Sequence, residues 1–150
     1  MPITHADAEL LVEEVQQEYV ARYGSRDETP IDPAYFAAPA GAFFVGYLDD
    51  DPVVTGAWRL RADLGIRGAA EVKRMYVAPR ARGRGLARVM LAHLETTATT
   101  AGAEVMVLET GIAQPEAIAL YLSSDYVEIP GFGFYRDSPL SRCFARPLSE

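Results

Sequence analysis

Residues 69–101 allow few local arrangements. AAEVKRMYV is β-branched and aromatic enough for a strand, and Pro79 stops it. The loop that follows is PRARGRG. From Gly83 to Ala101 the apolar residues Leu86, Met90, Leu94 and Ala98 recur at helical spacing, and Gly102 ends the run. A strand therefore feeds a glycine-rich turn that opens a helix. The first turn of a helix has unsatisfied N–H groups and the positive end of the dipole. Gly83 and Gly85 let the backbone approach an anion closely. Arg80, Arg82 and Arg84 add forked cationic donors.

Charge sharpens the point. The 150-residue chain has 14 Lys plus Arg against 21 Asp plus Glu, a net charge of -7. Six of those cations fall between Lys73 and Arg88, with no acid among them. That is a focused anion site on an acidic body. The phosphate-loop pattern GxxxxGK[ST] is absent. The dinucleotide pattern GxGxxG fails because Arg88 stands where its third glycine would be. RNA binding by the RGRG run is opposed by the acidic remainder and the lack of aromatic RNA-binding signatures.

The rest of the chain reads as one domain, residues 1–150, with no repeat or linker. An apolar fraction of 49 % and a charged fraction of 23 % fit a globular protein. A helix is predicted over 4–22, opened by a Thr4–Asp7 capping box and ended near Gly24. Strands are predicted over 42–48, 53–61, 69–77 and 104–108, from 126, and over 141–145. The turn at Asp49–Pro52 makes the first two a hairpin. A short helix is predicted over 115–123, with Pro115 in its first turn. The pattern is a mixed α/β (α+β) domain. No leader and no transmembrane run are legible, and a cytoplasmic location is expected. One cysteine, Cys143, excludes an internal disulfide and reads as a core residue. His5 and His93 lack metal-site spacing and read as structural or solvated.

Arg80-x-x-Gly83-x-Gly85 after EVKRMYV resembles the acyl-CoA loop, R/Q-x-x-G-x-G/A, of the GNAT superfamily of N-acetyltransferases. QPEAIALYLSSDYVEI resembles that family's second segment, N-x-x-A-x-x-L-Y-x-x-x-G-F. Matching segments cover about residues 42–147. The resemblance implies a strongly twisted mixed β-sheet with helices on both faces, its usual first strand missing or very short here. It implies acetyl-CoA as cosubstrate, its pyrophosphate held by amides from Arg82 to Gly85. Arg80, Leu86, Ala87 and Gln114 complete that surface, with Gln114 replacing the common Asn. The main chain of Met75, Tyr76 and Val77 would meet the pantetheine arm. Tyr121 matches the tyrosine that protonates the leaving thiolate. Glu71 matches a general base, and Glu109 is its rival.

Strand alternation predicts Glu71, Lys73, Met75 and Val77 on one face. Without a catalytic role, Glu71 reads as an exposed carboxylate paired with Lys73 or Arg74. Asp125 replaces a glycine, and aspartate tolerates the left-handed conformation better than most residues. For the acceptor, Asp27, Glu28, Asp32, Tyr35 and Phe36, then Phe132, Phe134 and Tyr135, would form a wall suited to a cationic amine. The expected activity is acetyl transfer to a small-molecule primary amine. A protein N-terminus or lysine is the alternative acceptor. A non-catalytic acyl-CoA-binding regulatory module is the alternative of another class. No nucleic-acid or membrane partner is expected, and the resemblance is compatible with a homodimer.

Overall fold

The computed structural model describes residues 2, 5–23, 33–111, 114–131 and 141–148. Helix α1 spans Ala6–Tyr23. The hairpin follows as β1 (Gly41–Leu48) and β2 (Asp51–Leu60). Next come β3 (Ala69–Val77), α2 (Leu86–Thr100), β4 (Val105–Gly111) and α3 (Pro115–Ser123). Strands β5 (Val127–Ile129) and β6 (Ser141–Pro147) close the order. No strand precedes α1 among the described residues.

Thr4 of the expected capping box lies outside the described residues. The amide of Asp7 donates to His5 Nδ1 at 3.1 Å. His5 therefore satisfies one of the orphan donors at the helix start, as a cap does. Ala8, Leu11 and Val15 form the buried stripe of α1. In the hairpin, Asp49 and Asp50 both take positive φ, 48° and 69°. That is the turn sense that matches the strand twist in a two-residue loop.

The sheet order is β1-β2-β3-β4-β6-β5. Among the described residues only β3 and β4 pair in parallel, and the other pairs are antiparallel. A parallel pair needs a long crossover, and α2 supplies it. Met90, Leu91, Leu94 and Ala98 of α2 pack with Val54, Trp58, Val72 and Met106 on one face. Tyr121, Tyr126 and Phe144 extend the same core. The other face is covered by α1, through Leu11 and Val15 on Tyr76 and Ala78, and Ala8 on Phe43 and Ala57. The architecture is thus helix, mixed sheet, helix.

Two contacts set how closely α2 sits on the sheet. Trp58 Nε1 donates to Thr97 Oγ1 at 2.9 Å, so the buried indole is satisfied. A Cβ at Gly56 would stand 2.6 Å from Met90 Cγ, so this position lets the helix approach.

Candidate active site

The parallel ladder between β3 and β4 ends early. Its rungs run from Ala69–Val105 to Val72–Leu108. Beyond Val72, β3 continues to Val77 paired only with β2, and beyond Leu108, β4 continues to Gly111 paired only with β6. The two strands part there. Backbone groups on the facing edges are left without ladder partners, and such groups demand one.

The alternation expected along β3 is broken. Between Thr55 and Ala57 the register with β2 shifts, with Thr55 opposite Tyr76 and Ala57 opposite Lys73. Two residues, Arg74 and Met75, oppose one, and Arg74 takes φ 57°. This is a β-bulge. Glu71 and Lys73 consequently share a face with Tyr76, which packs on α1. Met75 and Val77 turn with Val72 toward α2. Thr55, 1 % exposed, donates its hydroxyl to the Arg74 carbonyl at 2.5 Å. We expect Thr55→Val to cost about 1–3 kcal/mol, the usual loss for an unsatisfied buried partner. Thr55→Ser should restore it. Thermal melts of the pair check this, and an unchanged valine variant would show that the bulge holds without the hydroxyl.

At the other end of the split stands the glycine turn. Gly83 and Gly85 take φ 82° and 75°, and neither would bring a Cβ within 4 Å of any neighbour. Gly85 is the N-cap of α2 and offers no side-chain cap. Leu86 and Ala87 form the first turn, half-buried. The helix start is therefore open and unblocked, which suits a phosphate.

The arginines divide their roles. Arg80 Nε and Nη2 donate to Asp51 at 2.9 and 3.3 Å, Nη2 to the Pro52 carbonyl at 2.7 Å, and Nη1 to Glu14 at 3.4 Å. Its guanidinium ties the turn to the hairpin. Arg82 Nε donates to the Val77 carbonyl at 3.0 Å, bracing the end of β3. Arg88 bonds Ser123 and Ser124, joining α2 to α3. Arg84 is exposed on the loop between the glycines.

Tyr121 is buried against the α2 side of the split. Its ring meets Tyr126 edge-on at 5.7 Å and Phe144 at 6.5 Å. Tyr126 acts differently. Its hydroxyl donates to Glu95 at 2.8 Å, and Arg146 donates to the same carboxylate at 3.1 Å. Burial, then the Glu95 charge, pushes the Tyr126 phenol far above its ordinary range. Gln114 sits at the N-cap of α3; its carbonyl accepts from Ala117 and Ile118, and its side chain makes no cap bond. Asp125 takes φ 72°, the left-handed position expected where the family has glycine.

Glu71 is corrected in its surroundings. It is neither exposed nor paired with Lys73 or Arg74. It is 3 % exposed and accepts from Arg61 Nη1 at 2.6 Å. Arg61 also forks onto Asp63 at 2.8 Å, which holds the Asp63 carboxyl down at about 2. An oxygen already accepting from a guanidinium is poorly placed to take a substrate's proton. Arg61 gave no signal as an isolated residue; it follows only from the strand register, in which Arg59 and Glu71 are partners. Removing one member of a buried pair strands the other charge, so Arg61→Met should cost about 3–5 kcal/mol. Arg61→Met with Glu71→Leu should recover most of that loss in denaturant titrations.

Glu109 lies inside β4, which runs three residues further than expected. It is the first residue past the last β3–β4 rung. Opposite it, buried Cys143 places Sγ 3.8 Å from Glu109 Oε2. Cys143 packs with Ala69 and Val107, on the face away from α2. Glu109 and Lys73 therefore stand on opposite lips of the split, on one face.

The acceptor wall is revised in part. Phe36 is 3 % exposed and meets Phe43 edge-on at 6.4 Å, so it is core. Tyr35 is covered by the Arg59 guanidinium, 3.8 Å from its ring centroid. Asp27, Glu28, Asp32, Phe132, Phe134 and Tyr135 lie outside the described residues. His93 packs edge-on against Phe44 at 4.5 Å.

Similarity to known proteins agrees with this geometry. The profile of the Acetyltransferase (GNAT) family matches residues 9–126. The chain is 33 % identical over 138 residues to a protein called "IAA acetyltransferase" from Azospirillum brasilense, covering 92 % of this chain and 88 % of that one. A Klebsiella pneumoniae structure assigned as an acyl-CoA N-acyltransferase superposes with TM-score 0.79 at 29 % identity, covering 99 % and 94 % of the two chains. The PaiA N-acetyltransferase of Thermoplasma acidophilum, solved in complex with coenzyme A, gives 0.60 at 12 % identity, over 72 % of this chain and 61 % of that one.

Proposed function

The chain belongs to the acetyltransferase (GNAT) family, and on that premise we propose that it acetylates a primary amine of a small molecule from acetyl-CoA. Both substrates are bound together and the amine attacks directly. The observation that carries this reading is the parting of β3 and β4 beside an uncapped helix start. A long, thin cosubstrate with a diphosphate suits both: extended amide groups pair with a free strand edge, and phosphate suits a helix N-terminus. Acetyl-CoA supplies an activated acyl group and a thiolate leaving group.

The amides of Gly83 to Ala87 hold the phosphates, with Arg82 and Arg84 beside them. The edge of β3 from Met75 to Val77 aligns the arm, and its amides donate to the oxygen that gathers charge. Glu109, on the face opposite α2, takes the proton from the amine. The nitrogen then bonds to the acyl carbon as the carbon–sulfur bond breaks. Tyr121, on the α2 side, gives its proton to the departing sulfur. Acid and base thus reach the split from opposite faces, and the net products are an amide and free coenzyme A.

Free-thiol release from acetyl-CoA tests this, over amino acids, polyamines, aminoglycosides, arylamines and short peptides. Acceptor-dependent release from a small amine, lost in Glu109→Gln, is the expected result. Release with peptides alone would move the acceptor to proteins. Tight acetyl-CoA binding with no acceptor-dependent release would favour a regulatory acyl-CoA sensor.

A further inference from the structure

Among the described residues, the face on which the acceptor approaches carries cations as well as carboxylates, although the chain as a whole is acidic. Among the described residues, the charged side chains that β2, β3 and the turn between them bring to this side are Arg59, Arg61, Asp63, Glu71 and Lys73. Glu71 and Asp63 share the Arg61 guanidinium. Arg59, the register partner of Glu71, lies over Tyr35, and its charge also acts on the Asp63 carboxylate. Lys73, two residues beyond Glu71, is half-buried. Among the described residues no carboxylate or other group pairs with it. It is the first residue of β3 past the last rung with β4, and it comes just before the bulge. Across the split, Glu109 supplies the one acidic lip among the described residues, beside Cys143.

A half-buried lysine without a partner costs desolvation that a bound anion would offset. Lys73 stands two residues before Met75, with the bulged Arg74 between them. That separation fits one small molecule whose amine faces the thioester site and Glu109 while an anionic group faces Lys73. Resting on the acetyl transfer proposed above, we propose that the acceptor carries a carboxylate close to its amine, as an amino acid does. Lys73 binds that carboxylate, and Arg59, its diagonal neighbour across β2 and β3, adds to the positive field. This differs from the cationic acceptor expected from Asp27, Glu28 and Asp32, which lie outside the described residues.

The test pairs each amino acid with its own amide, which keeps the amine and removes the negative charge. Thiol release is measured for wild type and for Lys73→Met. The acids should exceed the amides by about tenfold or more in kcat/KM, as a charge-assisted bond predicts. Lys73→Met should raise KM for the acids by a similar factor and erase the preference, leaving KM for acetyl-CoA unchanged. Equal or better turnover of the amides or of polyamines would overturn the proposal while leaving acetyl transfer intact.

Calorimetry of the coenzyme A-saturated protein gives a readout that needs no turnover. The probes are N-acetylglycine, N-acetylleucine, N-acetylphenylalanine and N-acetylglutamate, with their amides. Acid-selective binding lost in Lys73→Met supports the carboxylate site even if no amine is acetylated, in which case only the proposed reaction fails. No acid preference in binding overturns the carboxylate site.

Discussion

Tyr121→Phe should lower kcat by about 10²- to 10⁴-fold, the range for loss of a positioned general acid, with acetyl-CoA affinity within about twofold of wild type. The ring is 5 % exposed and fixed by Tyr126 and Phe144, so phenylalanine keeps the packing and removes one proton donor. The neighbouring tyrosine supplies the contrast. Tyr126 donates to Glu95, and the Glu95 side chain is also bound by Arg146, so Tyr126→Phe should cost about 1–3 kcal/mol of stability. Its kcat should stay close to wild type. Single-turnover rates and melts on both variants separate the catalytic from the structural tyrosine. Equal kcat for wild type and Tyr121→Phe, where chemistry limits the rate, would remove the acid role.

The second large effect is expected at the helix start. Gly85→Val forces a β-branched residue into φ 75°, a conformation such residues avoid. No neighbour would clash with a Cβ there, so the strain is confined to the backbone. The loop should relax by turning its amides away from the phosphates. We expect the acetyl-CoA dissociation constant to rise about 100-fold, roughly 2.7 kcal/mol, with far-UV circular dichroism preserved. Binding by calorimetry checks it. Wild-type affinity in a folded Gly85→Val protein would mean that these amides do not hold the phosphates.

Local signals carried most of the fold. Helical spacing placed α2 and α3, and Pro79 with the two glycines placed the turn between β3 and α2. The run of aspartates before Pro52 placed the hairpin. These depend on residues within a few positions of each other, so a single sequence suffices. The bulge was not legible, because Arg74 in a strand gives no warning of φ 57°. It arises from how β3 pairs with β2 and from a hydroxyl 19 residues away, on Thr55. That one extra residue moved Met75 and Val77 to the face opposite Glu71 and Lys73.

The sequence by itself determined the order of elements, the cationic glycine turn and the family to which they point. Tertiary structure decided which charges are available. Arg80 is tied to Asp51 and Glu14, Glu71 is tied to Arg61, and Phe36 is buried under the hairpin. Lys73 stands at one lip of the split, and Glu109, contacted by Cys143, stands at the other. Coulomb interactions and burial depend on distances across strands, and those distances are set by register and packing rather than by spacing along the chain.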